Sequence, residues 1–439
     1  MVKESKFQAL RKSELLKNTS ILISGTALAQ VIPILLQPIL RRYFAPEIFG
    51  AYSVYRSLLG ILIIICSFKY ELAIILPRKD NEAANVFFLS VILNAMFNML
   101  LILAISFWKS SLLHFLNLSY KFGDYLYLVP LGTFLFSFYQ SLNLWLIRKK
   151  GFLPISINKF VQRGFEGVAQ VGFKYAKNSH GLIFGDLIGN LANVCSGVYQ
   201  SMKYGLSVRL FSTQMIKKVL IRYSEYPKFN VVPSFMSACS FLLPAILINK
   251  FFSSENTGFF DLSKLVLSVP LALVATSLSN VMLQRVSEKY RNNELFLKEL
   301  LPIIVIVLII CAIEVLIIEF FGVVLFKLLF GEINGFSGSI SRILIWSYAL
   351  NFIVASFSSI FISMNKIKLL SIWQLFYFVS ILSLVLFRNL PFMSFIKVYV
   401  IIEVICYLVI AAFMISILLK YEAKIRSLNF VPTVSGTRE

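Results

Sequence analysis

Apolar residues run along this chain in long unbroken blocks, well beyond the reach of one amphipathic face. The block "LPIIVIVLIICAIEVLIIEFFGVVLF" from Leu301 exceeds the ~18–20 apolar residues that cross a bilayer as a helix. Blocks of this kind, divided by short polar or Pro/Gly-containing breaks, predict twelve helices. The first six are Ile21–Leu40, Ala51–Leu76, Ala83–Trp108, Tyr125–Ile147, Ile155–Phe173 and Leu182–Met202. The last six are Val231–Ile248, Phe259–Leu283, Leu300–Phe321, Ile343–Ile362, Leu370–Phe387 and Ile396–Leu419. No period-2 barrel pattern appears, so helices must satisfy the backbone in lipid. The expected fold class is an all-α polytopic membrane protein.

The longest break, "YGLSVRLFSTQMIKKVLIRYSEYPK", separates spans six and seven. It is amphipathic and basic, which places it on the inner membrane surface near anionic lipids. It divides the chain into a six-helix lobe over 1–203, a linker over 204–228, and a second six-helix lobe with a tail over 229–439. No loop is long enough for a large domain outside the membrane. The two lobes share a sequence echo. "FAPEIFGAYSVYRSL" at Phe44–Leu58 aligns without gaps, at an offset of 208, with "FSSENTGFFDLSKL" at Phe252–Leu265. Arg42 meets Lys250, Phe44 Phe252, Glu47 Glu255, Gly50 Gly258, Tyr52 Phe260 and Arg56 Lys264. Six spans intervene, so the repeats share one orientation, as in parallel-repeat transporters. Two six-helix lobes around a central cavity are expected.

Composition agrees with the membrane assignment. Of 439 residues, 58% are hydrophobic and 14% charged, with a mean hydropathy of +0.80; soluble domains have about 45–50% and 25%. The net charge of +21 does not point to nucleic acid, because the cations sit in short loops. With a cytoplasmic N-terminus, inside segments hold about 26 Lys and Arg and the opposite side about 10, the asymmetry of the positive-inside rule. Both termini are therefore expected inside. "TALAQ" could pass for a signal-peptidase site at Ala29, but the apolar run continues, and a retained first helix is expected. The five cysteines all lie in apolar spans and read as small buried side chains. His114 and His180 lie far apart, without a metal-ligand cluster. No phosphate-binding loop, His-Glu-x-x-His or nucleophile–base set appears, so no enzyme and no cofactor is expected. An ion gradient, the membrane potential or the substrate's own gradient would supply the energy.

Ionisable residues inside spans carry the functional signal. Each costs roughly 2.5–3.5 kcal/mol on insertion scales and normally faces a bundle interior or water. They are Arg56, Lys69, Glu71, Lys159, Arg163, Glu166 and Asp186 in the first half, and Asp261, Lys264, Glu314 and Glu403 in the second. Lys159, Arg163, Glu166 and Gln170 share one helical face, as do Asp186, Asn190, Asn193 and Gln200. Gln30, Gln37 and Arg41 line the first span beside Pro33 and Pro38. These stripes predict a wet, mixed-charge cavity. Each also has a plainer reading: Arg163 and Glu166 as a structural pair, Lys69 and Glu71 as interfacial snorkels, and Asp261 as a helix cap.

The stretch "NTSILISGTALAQVIPILLQPILRRYFAPEIFGAYSVYRSL…KYELAIILPRKD" at Asn18–Asp80 resembles the Wzx-type polysaccharide flippases of the multidrug/oligosaccharidyl-lipid/polysaccharide exporter superfamily. The likeness rests on Asn18, the polar and proline-bearing first span, Arg42 followed by Pro46, Phe49 and Gly50, and "YELAIILP" at Tyr70–Pro77. Elsewhere it amounts to span count, spacing and loop charge. The resemblance implies alternating access by two six-helix bundles in the bacterial inner membrane. It also implies translocation of undecaprenyl-pyrophosphate-linked oligosaccharide repeat units for O-antigen (lipopolysaccharide), capsule or exopolysaccharide synthesis. A cation-lined lumen would come from Arg56, Lys264, Arg163, Lys159 and Arg41. Glu71, Glu166, Asp186 and Asp261 are the candidates for H⁺ or Na⁺ coupling. Membrane lipids, a polysaccharide polymerase and chain-length proteins are the expected partners. The alternatives are a drug or cation antiporter of the same superfamily, a membrane glycan polymerase or ligase, and a non-transporting scaffold.

Overall fold

The computed structural model describes residue 25 and residues 28–118, 123–176 and 180–429. Residues 1–20 ahead of the first expected span, Asn18 among them, the first residues of that span and the end of the tail lie outside these. Every expected span has a helix at its position. Helix α1 covers 28–43, followed by α2 (Pro46–Cys66), α3 (Asp80–Leu116), α4 (Leu128–Arg148), α5 (Phe152–Tyr175) and α6 (Gly181–Lys203). The expected linker contains a short helix, α7 (Thr213–Arg222). Then come α8 (Glu225–Phe251), α9 (Ser254–Arg291), α10 (Leu297–Phe330), α11 (Gly335–Phe357), the single turn α12 (Ser359–Ser363), α13 (Ile367–Leu382) and α14 (Phe392–Asn429). No strand occurs among the described residues, and the all-α polytopic expectation holds.

Nine helices among the described residues are long and apolar enough to cross a membrane. Neither α4 nor α5 is one of them. The α5 case has a clear cause: Lys159, Arg163, Glu166 and Lys174 lie within its 24 residues. By contrast α10 exposes Leu301, Val305, Ile306, Leu308, Ile309 and Ile313. Such a surface would drive aggregation in water and is at home only against acyl chains.

The chain forms two compact units. The first holds α1–α8, the start of α9 to Asp261, and Leu329–Asn334; the second holds Leu262–Leu328 and the chain from Gly335. In the first unit, Trp145 and Leu142 of α4 pack with Phe87 of α3 and Tyr70 near one end. Tyr55 and Leu59 of α2, Tyr139 of α4 and Leu187 of α6 form a second cluster. Helix α8 packs on α2, and its buried Asn249 donates to the Leu116 carbonyl at 2.6 Å. In the second unit α11 and α13 pack against α14. Ser263 of α9 donates to the Ser337 carbonyl at 2.7 Å.

Local structure departs from the pattern-based spans in several places. The second span was expected to run unbroken to Leu76, yet α2 ends at Cys66. Phe68 and Lys69 both adopt positive φ (50° and 62°), and Tyr70–Ile75 form a 3₁₀ turn. Across the break the Ser67 hydroxyl donates to the Glu71 carboxylate at 2.5 Å. Helix α9 begins at Ser254, ahead of the expected Phe259, so Asp261 lies two turns inside and does not cap it. Cys66, Cys239, Cys311 and Cys406 are buried as expected, but Cys195 is exposed. It sits on a face of α6 beside exposed Leu191 and Tyr199, where a lipid-facing thiol needs no partner.

The linker belongs to the first unit. Asn85 of α3 is fully buried and donates to the Leu210 carbonyl at 2.8 Å while accepting from the Ser212 amide at 2.8 Å. Glu82 accepts from Arg222 at 2.8 Å and from the Tyr223 hydroxyl at 3.0 Å. Tyr70 donates to the Leu220 carbonyl at 2.9 Å. These contacts turn Val219 inward and leave Lys217, Lys218 and Ile221 exposed.

Candidate functional site

Two helices carry most of the polar side chains. Helices α5 and α6 pack closely along their length. A Cβ on Gly189 would lie 2.8 Å from the Gln162 carbonyl oxygen, and one on Gly185 3.1 Å from the Gln170 nitrogen. Only glycine permits that approach. It brings the two polar stripes together, so each supplies the other's hydrogen bonds. In a membrane interior this is what stabilises such residues, because an unmade bond has no water to replace it.

Asp186 sits where α2 joins this face. Its Oδ2 accepts from Asn190 Nδ2 at 2.9 Å. Its Oδ1 accepts from Arg56 Nη1 at 3.2 Å and from the Tyr52 hydroxyl at 3.4 Å. The same Arg56 nitrogen donates to the Tyr52 oxygen at 3.2 Å, and its guanidinium lies 5.8 Å from that ring's centroid. The Asp186 side chain is 6% exposed and that of Arg56 43%. The carboxylate is thus sunk into the unit, and the cation stands at its surface.

The network continues into α5. Asn190 accepts from Gln162 Nε2 at 2.7 Å, and Gln162 Oε1 accepts from Asn193 at 2.9 Å and from Lys159 Nζ at 3.1 Å. The Lys159 ammonium also lies 4.6 Å from the Tyr139 ring. Arg163 donates to Glu166 at 2.6 Å, while its Nε is buried without a partner. Glu166 and Arg163 both act electrostatically on Asp186. Arg56, Lys159, Arg163, Glu166 and Asp186 therefore belong to one cluster, in which three cations meet two buried carboxylates. Gln200 takes no part in these hydrogen bonds.

The remaining candidates lie elsewhere. Arg41 is buried (side chain 1% exposed) and pairs with Asp261 at 2.5 Å. It also donates to the Gly258 carbonyl at 2.9 Å and to Gln37 at 3.2 Å, and its guanidinium stacks 3.5 Å from the Phe49 ring centroid. A cation expected to bind substrate and an anion expected to bind an ion thus engage each other. Glu71 is buried in the 3₁₀ turn with Ser67, and Lys69 Nζ lies 3.9 Å away. Lys264 belongs to the second unit, is half-buried, and acts electrostatically on Glu403. Among the described residues no group of three His, Cys, Asp or Glu could hold a metal ion.

A family model described as "polysaccharide biosynthesis protein" matches residues 15–287. The chain belongs to that family. Its fold is that of MOP-superfamily transporters. A multidrug resistance MATE family transporter of that superfamily, in an inward-facing conformation, superposes with a TM-score of 0.71. It is 17% identical, with 94% of this chain and all of the other covered (100%). A MOP superfamily transporter from Pyrococcus furiosus, described as having a binding pocket of reverse polarity, gives 0.59 at 17% identity, covering 92% and 96%. An outward-facing multidrug resistance MATE family transporter gives 0.59 at 17% identity over the same shares. No curated protein matches. The fold is one that solved transporters share, and the Wzx-type resemblance at Asn18–Asp80 stands. The protein is a multi-pass membrane protein of polysaccharide biosynthesis.

Two features escaped the sequence reading. Tyr52 appeared only as a column of the repeat, yet it bridges Arg56 and Asp186. Gln162, off the recognised stripe, joins Lys159 to the α6 amides. Its spacing of three from Lys159 and four from Glu166 was the available signal.

Proposed function

We propose that this polysaccharide biosynthesis protein translocates a lipid-pyrophosphate-linked oligosaccharide across the bacterial inner membrane by alternating access, with both termini cytoplasmic. The observation that carries the reading is Arg56: a cation held at the unit's surface by Asp186 and Tyr52, in a cluster that also holds Lys159 and Arg163. A pyrophosphate bearing a glycan cannot cross ~30 Å of hydrocarbon unaided. Cations in a low-dielectric setting offset its desolvation, and a guanidinium can engage phosphate bidentately. Arg56 in the first unit and Lys264 in the second each supply positive charge during passage. Asp186 keeps Arg56 neutralised in the absence of substrate, and Glu166 does the same for Arg163. Arg41 and Asp261 satisfy each other, which favours a structural role for that pair.

The experiment is genetic and chemical. A strain lacking the gene should accumulate undecaprenyl-pyrophosphate-linked repeat unit on the cytoplasmic leaflet. The native chain should clear it and Arg56→Ala should not. Export with no accumulation in the deletion strain contradicts the reading.

The fold match favours one second reading, efflux of drugs or cations. Its outcome is loss of drug resistance in the deletion strain with surface glycan unchanged.

A further inference from the structure

Arg285, near the end of α9, is an exposed cation. Among the described residues no hydrogen bond or ion pair engages it. It lines a crevice of about 240 Å³ between α9 and α10 in the second unit. Both helices build this crevice with one spacing. Met282, Arg285, Val286 and Lys289 stand at i, i+3, i+4 and i+7 on α9. Phe296, Glu299, Leu300 and Ile303 repeat that spacing across the start of α10. Such positions share one face of a helix, so each helix contributes a single stripe of apolar and charged groups.

The chain reverses between the two stripes, which gives the crevice a direction. Met282 and Ile303 lie farthest from the connecting loop, and Lys289 and Phe296 nearest to it. Past Ile303, α10 exposes Val305, Ile306 and Leu308. In the loop Arg291, Asn292, Asn293 and Glu294 are all exposed. The crevice therefore straddles the boundary between hydrocarbon and water.

Most polar groups around it are already engaged. Lys289 Nζ pairs with Glu299 at 2.6 Å and with Glu294 at 3.2 Å. The Phe296 and Leu297 amides donate to the buried Glu422 carboxylate of α14 at 3.0 and 2.9 Å. Tyr421 donates to the Glu294 carbonyl at 3.1 Å and sets its ring 5.3 Å from that of Phe296, centroid to centroid. The loop end of the crevice is thus fixed. The anion-binding capacity of a helix start is spent on Glu422, and Arg285 is the charge left at the rim.

We infer that this crevice binds an anionic glycerol-headgroup phospholipid, its phosphate on Arg285 and its chains continuing into the hydrocarbon beside α10. Charge complementarity selects the headgroup. Arg285, Lys289 and Glu299 sum to one positive charge, and a phosphodiester supplies one negative charge. A guanidinium engages two phosphate oxygens at once. The headgroup hydroxyls can donate to Glu299, since a carboxylate accepts several hydrogen bonds. An ethanolamine headgroup fits less well, because its ammonium competes with Lys289 for the same carboxylate. A free phosphate would gain only an exposed contact of little worth, whereas chains anchored in the bilayer hold a phosphate at the rim at high effective concentration. The inference stands apart from the substrate reading of Arg56 and Lys264.

Native mass spectrometry of the purified full-length chain, titrated in detergent with phosphatidylglycerol, tests the site. The native protein should retain one phosphatidylglycerol with an affinity that Arg285→Gln lowers by about fivefold or more, the scale of one cation near a lipid surface. Lys217→Gln removes the same charge at an exposed linker position and should leave this first binding unchanged. Phosphatidylethanolamine should bind more weakly, and inorganic phosphate at equal concentration should not displace the lipid. Equal affinity in the native protein and Arg285→Gln overturns the site, as does an equal loss in Lys217→Gln, which would mean attraction by diffuse charge. Equally tight phosphatidylethanolamine overturns the headgroup assignment, and displacement by inorganic phosphate overturns a lipid as the occupant.

Discussion

Gly50 and Gly258 meet as matched partners of the internal repeat. A Cβ on Gly50 would lie 1.7 Å from the carbonyl oxygen of Ser254, and one on Gly258 would lie 1.9 Å from that of Pro46. Ser254 and Pro46 are themselves separated by the repeat offset. The first turns of α2 and α9 therefore cross backbone to backbone, each glycine seated on the other helix's entry residue. What reads in the sequence as an echo is in space a reciprocal contact.

Because both obstacles are backbone atoms, neither can rotate away. Gly50→Ala and Gly258→Ala should each destabilise the protein by at least the ~1–3 kcal/mol typical of overpacking. Thermal unfolding in detergent would show this as a lowered midpoint. Gly164→Ala is the control: no atom lies within 4 Å of its added Cβ, and alanine is the better helix former. It should leave the midpoint unchanged or raised.

The Arg41–Asp261 pair is asymmetric, with side-chain exposures of 1% and 27%. Removing the carboxylate strands a buried guanidinium. Asp261→Asn should therefore cost about 3–5 kcal/mol, as breaking a buried pair does. Replacing both members by apolar residues of similar volume should recover much of that loss. Folding yield and unfolding midpoint check this. A direct ion-coupling role for Asp261 would instead appear as a stable Asp261→Asn protein that has lost gradient dependence.

Asn85 holds the linker by two hydrogen bonds to backbone atoms. Asn85→Ala leaves the part-buried Leu210 carbonyl and Ser212 amide without this partner, at up to about 1–3 kcal/mol for each group that water does not reach. Cleavage within residues 204–228 by a soluble protease should rise sharply, while cleavage of the transmembrane helices should not. Unchanged cleavage would show that Glu82 and Tyr70 suffice to hold α7.

Much of this organisation was readable beforehand, for a physical reason. Lipid forces polar residues of one helix onto a shared face, so the spacing of Lys159, Arg163 and Glu166 on α5 and of Asp186, Asn190 and Asn193 on α6 identified both stripes. Hydropathy likewise located most of the spans, because each must cover a bilayer, while α4 and α5 fall short of that measure. Relations between distant residues were not readable. Nothing local in Arg41 announces Asp261, 220 positions away, and the 3₁₀ turn after Cys66 lies where apolar residues on both sides read as one span. Helix α8 is a similar case: its compact packing with the first unit depends on Asn249 reaching the end of α3, a contact no periodicity encodes.

The central claim is that Arg56 and Lys264 carry the anionic head of a lipid-linked glycan through the protein. The most direct measurement is leaflet-resolved mass analysis of pyrophosphate-linked oligosaccharide in vesicles reconstituted with the native chain, Arg56→Ala, Lys264→Ala or the double variant. The native chain should move the lipid to the opposite leaflet, and the double variant should leave it where it was loaded despite equal content of folded protein in the vesicles. Undiminished translocation by a folded double variant would contradict the account.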